Sequence, residues 1–204
     1  MDYDGAIDRA RRMAGLGRRV VIGITGPPGC GKSTLAREVA GALGPTAAVV
    51  VPMDGFHLAN IQLERLGLTS QKGAPETFDA AGYVSLLRRI REPENGTVFA
   101  PTFDRAIEQP IAGAIAVEAE VNLVVTEGNY LLLDDRPWSA IPHLLDEIWY
   151  CDVEPDLRRA RLVARHEQFG KTPEHALSWV TDVDEANARL VSATRLKANC
   201  FVRQ

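Results

Sequence analysis

Residues 18–34 read "RRVVIGITGPPGCGKST", and the fold turns on this stretch. The first nine, "RRVVIGITG" (18–26), form a β-branched apolar run of the kind that sits inside a parallel sheet. The run enters Gly26, four further residues and then Gly31-Lys32-Ser33, which fits the phosphate-binding pattern G-x-x-x-x-G-K-[ST]. Helical spacing follows in "KSTLAREVAGAL" (32–43). Each residue type has a physical reason. Glycines let the backbone curl until its N–H groups converge on phosphate oxygens. The helix behind presents its positive N-terminal end to the same anion. Lys32 is expected to reach the β- and γ-phosphates, and the Ser33 hydroxyl to ligate Mg²⁺. The expected nucleotide-binding set is Gly26, Pro27, Pro28, Gly29, Cys30, Gly31, Lys32, Ser33 and Thr34. Within it Cys30 reads either as filler at an unconstrained position or as a thiol whose oxidation would block nucleotide.

Outward from the loop, strand-like runs recur at "TAAVVVP" (46–52), "VNLVVTEG" (121–128), "EIWYCDV" (147–153) and "KANCFV" (197–202). Helical patterns fill the gaps: residues 79–90, 155–169 and 173–196, the last with Leu177, Val180, Val183, Leu190 and Ala193 as one apolar stripe. Alternation of this kind predicts an α/β fold with a largely parallel sheet. Asn95-Gly96 marks a turn, and residues 97–118 are expected to form a hairpin outside the main sheet. No repeat or linker interrupts the chain, so residues 1–204 read as one domain.

Composition narrows the class. The 204 residues are 46% hydrophobic and carry a net charge of -4, without the basic surface that nucleic acid requires. No apolar run approaches the roughly 20 residues of a membrane span. The start, "MDYDGAIDRARRMAGLG", reads as an amphipathic helix rather than a signal peptide. Cys30, Cys151 and Cys200 are far apart and lack metal-ligand spacing, which suits free thiols in a reducing cytoplasm.

A phosphate loop identifies a ligand and leaves the reaction open. Three places narrow it. Glu127 ends the strand in "VVTEG", where an acid can orient Mg²⁺; the usual residue is Asp, and the longer Glu suggests an outer-sphere contact. Arg158, Arg161 and Arg165 share a helix face, either as a solvated basic face or as a lid that closes on transferring phosphate. Asp54 stands at the tip of "VVVPMDGFH" (49–57), either as Asp-Gly turn chemistry or as the carboxylate that accepts the proton of an acceptor hydroxyl. The base-reading Asn-Lys-x-Asp motif of GTPase switches is missing from the sequence. A monophosphate acceptor would need arginines but no base, so Asp54 argues against it. A nucleotide-binding regulator without catalysis is the rival of another class.

Taken as an ordered set, the phosphate loop, "MDGFH" (53–57), "KGAPETFD" (72–79), "APTFDR" (100–105), "VVTEGNYLL" (124–132) and "RRARLVARH" (158–166) resemble the P-loop small-molecule kinases. That group includes uridine kinase, phosphoribulokinase and the bacterial pantothenate kinases. In length, and in "VPMDGFHLAN" with "TEGNYLLL", the chain is similar to bacterial proteins described as fructose transport system kinases. The resemblance implies a three-layer α/β/α P-loop fold with a five-stranded parallel sheet and a helical lid near 155–172. It implies ATP and Mg²⁺ as cofactors and a small-molecule acceptor, in a monomer or homodimer. By position it implies Asp54 as general base, Lys32, Arg161 and Arg165 as catalytic, and Ser33 and Glu127 at the metal. Asp54, His57, Asp104 and Arg105 would meet the acceptor, although His57 equally suits capping or packing. Phe103-Asp104-Arg105 replaces the Tyr-Ser-His of pantothenate kinases, and the tyrosine-rich acceptor loop of uridine kinases is missing. Both departures leave the acceptor open, with a sugar such as fructose as the candidate and a nucleoside or pantothenate-type acceptor as the alternative.

Overall fold

The computed structural model describes residues 1–92 and 96–203. Of the expected Asn95-Gly96 turn, Asn95 lies outside the described residues. Five strands form one sheet: β1 (Val20–Thr25) at the centre, β5 (Leu123–Glu127) and β6 (Glu147–Asp152) beside it, β2 (Ala48–Pro52) and β7 (Cys200–Arg203) at the edges. Every neighbouring pair is parallel. β1 and β5 are buried along their whole length, as strands covered by helices on both faces must be.

Helices α1 (Tyr3–Ala14) and α2 (Lys32–Leu43) cover one face, where Ile22 and Ile24 pack with Leu35, Val39 and Trp149. Helix α4 (Ala80–Arg91) and α7 (Glu185–Ser192) cover the other, over Tyr83, Leu87, Tyr130, Ile141 and Val191. Leu35 and Leu87 are fully buried, each contributing about 1.5–3 kcal/mol relative to an exposed side chain. Local chemistry sets the helix starts. The Asp79 carboxylate caps α4 by accepting from the Gly82 amide at 2.8 Å, and prolines occupy the first turns of α5 (Pro155–Gln168) and α6 (Pro173–Trp179). Gly170, at φ 94°, terminates the α5 region as its position after the arginine helix suggested. A short helix, α3 (Asn60–Leu66), was not expected from the sequence.

The separate hairpin is present: β3 (Val98–Asp104) and β4 (Gln109–Val117) pair antiparallel, with an irregularity across Pro101. It packs on the β2 side of the sheet through Val98, Ala100 and Val117 against Val51 and Ile90. The approach is tight at Gly55, where an added Cβ would fall 2.5 Å from the Pro101 carbonyl oxygen. The glycine beside Asp54 therefore admits the hairpin to the strand tip. Gly55→Ala is expected to cost about 1–3 kcal/mol through overpacking. Urea unfolding checks this, and an unchanged midpoint would refute the tight contact.

One helical expectation is corrected. Residues 173–192 are helical, but a π-turn at Val180–Asp184 separates α6 from α7. Leu177 and Leu190 are 59% and 40% exposed, and the inward face is instead Ala176, Val180, Asp184, Asn187 and Val191. The extra residue of the π-turn rotates the register, and part of this face borders a polar cleft rather than apolar core.

Candidate active site

The parallel register brings three strand ends to one level. Pro52 and Ile24 both pair with Glu127, so the phosphate loop, Asp54 and Glu127 emerge side by side at the carboxyl edge. That is where open parallel sheets bind ligands. The loop runs through Gly26, Gly29 and Gly31, all at positive φ (147°, 79° and 93°). A Cβ on Gly29 would also fall 2.7 Å from Leu162 Cγ, so α5 lies directly against the loop.

Lys32 is 8% exposed, and its ammonium donates to the carbonyls of Gly26 (2.9 Å) and Pro27 (3.1 Å). Ser33 donates its hydroxyl to Glu127 Oε1 at 2.9 Å, joining residues 94 positions apart. Asp54 is the second residue of the 3₁₀ turn Met53–Phe56, and its Oδ2 accepts from Arg105 Nη2 at 3.1 Å. His57 packs between Phe78 and Phe103, with ring centroids 4.0 and 4.7 Å away. Its Nδ1 donates to the Asp54 carbonyl at 2.7 Å, since a carbonyl can only accept. Burial depresses the His57 pKa, so the ring is neutral at pH 7.

A cavity of about 490 Å³ lies between Gly29, Gly31, Lys32, Ser33 and Thr34 on one side and Arg105, Arg161 and Arg165 on the other. Adjoining it is a cleft of about 280 Å³ lined by Lys32, Ser33, Asp54, His57, Lys72, Arg105, Glu127, Asn129 and Arg165 among others. Most of the expected site residues thus converge. Asp104 lines neither space; its carboxylate accepts from the Ala106 amide at 2.8 Å and shapes the hairpin turn. Cys30 is fully buried, 3.9 Å from the Lys32 ammonium, and Cys151 donates its thiol to the Cys30 carbonyl at 3.0 Å. Arg158 is 5% exposed and pairs with Glu185 beneath the loop, so it braces the site from behind. A separate cavity of about 860 Å³ lies beyond Phe78 and Asn187, and its lining includes neither Lys32, Asp54 nor Glu127.

The cleft also contains Lys72, Asn129, Asp184 and His166, which were not expected at the site from the sequence. Lys72 holds Asn60 Oδ1 (2.9 Å) and the Glu108 carbonyl (2.8 Å), and His166 meets Asp184 at 2.8 Å. The one signal for Lys72 was its place at the head of "KGAPETFD".

Burial is the main reason the Glu127 pKa rises from 4.5 to about 7, with the Asp54 charge adding and Lys32 opposing. Folded Glu127 holds its proton more tightly than the unfolded chain does. The stability this contributes is complete below pH 4.5 and is lost as pH rises through about 7. Without nucleotide, wild-type stability is expected to fall through this group by up to about 3 kcal/mol between pH 5 and 8. Glu127→Gln removes that dependence while keeping an acceptor for Ser33. Urea unfolding at the two pH values tests it, and parallel profiles for both proteins would contradict it.

The donors between loop and strand ends are all oxygens: the Ser33 hydroxyl and the carboxylates of Glu127 and Asp54. Among the described residues no three-residue cluster of metal-ligating side chains occurs. This set fits Mg²⁺, which takes one or two protein carboxylates and completes its shell with phosphate and water.

A phosphate loop after the central strand, with acids at two neighbouring strand ends, defines the P-loop kinase class of fold and site. The chain belongs to the phosphoribulokinase / uridine kinase family, whose sequence profile matches residues 21–200. A Schizosaccharomyces pombe protein named "Putative uridine kinase C227.14" is 35% identical over 212 residues, spanning 99% of this chain and 90% of the relative. The "ATP-dependent kinase-like protein notR'" of Aspergillus versicolor is 36% identical over 158 residues, 74% of this chain and 87% of its own. Among solved structures, a "putative fructose transport system kinase" from Silicibacter sp. TM1040 superposes with a TM-score of 0.87 at 37% identity, covering 98% of each chain. Among the described residues no helix is long and apolar enough to cross a membrane.

Proposed function

We propose that the protein is an ATP-dependent kinase that transfers the γ-phosphoryl group to a hydroxyl of a small metabolite such as a sugar or nucleoside. The observation that carries this reading is Asp54, a carboxylate on the same cleft as Lys32 and Ser33. In this reading the 490 Å³ cavity takes the ATP phosphates, with the loop amides and Lys32 on one side and Arg161 and Arg165 on the other. Ser33 and Glu127 would hold Mg²⁺. Bound there, the ion would neutralise charge on the phosphate oxygens. Asp54 accepts the proton of the acceptor hydroxyl as its oxygen attacks phosphorus. Residues near 155–172 act as a lid whose arginines meet the transferring group and exclude water.

ADP release with Mg²⁺·ATP against sugars, nucleosides and hydroxy acids tests the reading. Release that depends on one acceptor is the expected result. Tight ATP binding with no acceptor-dependent release from any class would favour the regulator instead.

A further inference from the structure

Arg105 is the residue that the P-loop chemistry leaves unexplained. It sits at the tip of the β3–β4 hairpin and lines both the phosphate cavity and the acceptor cleft. Its side chain is 40% exposed and spends one N–H on Asp54. Among the described residues its guanidinium makes no other hydrogen bond or ion pair, so most of its five donors remain open. The hairpin turn that carries it is anchored. The Lys72 ammonium holds the Glu108 carbonyl at 2.8 Å and the Glu108 carboxylate at 3.3 Å, and Glu108 adopts φ 54°.

Each acidic side chain around Arg105 already has a polar partner. Asp54 has Arg105, Glu108 has Lys72, Asp184 has His166 and Glu127 has Ser33. On the basic side Arg165, which lines the same two spaces, has no side-chain hydrogen bond or ion pair among the described residues. The Arg105 charge also lowers the Arg165 pKa, after burial the largest cause, so the two guanidinium groups share one corner. Open guanidinium edges without carboxylates to fill them call for an anion. Arg165, together with Arg161 and the loop, accounts for nucleotide phosphates. Arg105 alone also touches Asp54.

Resting on the kinase reading, we infer that the acceptor carries a carboxylate or phosphate close to its reactive hydroxyl, and that Arg105 binds that group. Distance limits the ligand. A hydroxyl on Asp54 and an anion on Arg105 each add a hydrogen bond of about 2.8 Å to the 3.1 Å between the two side chains. Where hydroxyl and anion engage these two atoms themselves, the two groups of the acceptor lie within about 9 Å of each other, and use of the second carboxylate oxygen and the other guanidinium nitrogens extends the limit to about 13 Å. Short hydroxy acids and phosphorylated small polyols meet this bound; an acceptor with its charge at the far end of a long chain does not.

The test uses matched acceptor pairs with the full-length protein: glycerate against glyceramide, and phosphorylated sugars against the parent sugars. The anionic member of a pair is expected to show at least tenfold higher kcat/KM, with the carboxylate and phosphate arms telling the two anions apart. Arg105→Gln is expected to raise KM for the anionic acceptor about 10–100-fold while KM for ATP changes less than about threefold. Arg105→Lys should recover part of the loss, and equal melting temperatures confirm folding. Turnover confined to neutral acceptors, or an Arg105→Gln effect falling on KM for ATP, overturns the inference and leaves the kinase reading standing. No turnover with any acceptor contradicts both.

Discussion

Asp54→Asn is expected to lower kcat by about 10²–10⁴-fold while ATP affinity stays within about threefold, the range for losing a general base. The substitution keeps the shape of the side chain and an oxygen that can accept from Arg105, as Asp54 Oδ2 does at 3.1 Å. It removes the basicity that the acceptor hydroxyl requires. The loop itself should be undisturbed, because Lys32 and Ser33 bond to Gly26, Pro27 and Glu127 rather than to Asp54. Steady-state kinetics with a separate nucleotide titration separates the two quantities. Equal losses in affinity and turnover would assign Asp54 to the metal or nucleotide and leave the base unidentified.

Lys32→Ala has the other large effect, and it falls on both quantities. A nearly buried ammonium at the start of α2 is a main positive group at the phosphates. Its loss is expected to reduce kcat/KM for ATP by about 10²–10³-fold and to weaken nucleotide binding in parallel. Lys32 also counts among the charges that hold down the Glu127 pKa, so the variant raises that value further and leaves less carboxylate for a cation. Thermal unfolding establishes that the variant folds. If ATP affinity and rate both survive, the phosphate-loop reading is wrong.

Where information is local, the chain announced itself. The span 32–43 is a helix to the residue, and the apolar runs became the five strands, with ends shifted by up to three residues. The hairpin at 97–118 and the three free cysteines also agree with the reading. The losses share a cause. Helix α3 is only seven residues long and too short to show a periodic stripe. The stripe through Leu177 and Leu190 followed hydrophobicity, whereas the chain turns Asp184 and Asn187 inward because a polar cleft lies there. The loop, Asp54 and Glu127 were legible because each ends a strand that neighbours β1 or β5. The Asp54–Arg105 contact spans 51 positions and the Lys72–Glu108 carbonyl contact 36, so only tertiary structure reveals them. Asp104 was expected at the acceptor because the family resemblance implied it by position; in the folded chain its carboxylate accepts from the Ala106 amide in the hairpin turn.

Phosphoryl transfer is read by following the γ-phosphate of labelled ATP. Purified protein is incubated with Mg²⁺, γ-labelled ATP and a mixture of small hydroxylated metabolites, and the products are separated. Label is expected in a small phosphomonoester that forms with wild-type protein and disappears with Asp54→Asn. Label appearing only as inorganic phosphate, at the same rate in both proteins, would contradict the kinase reading.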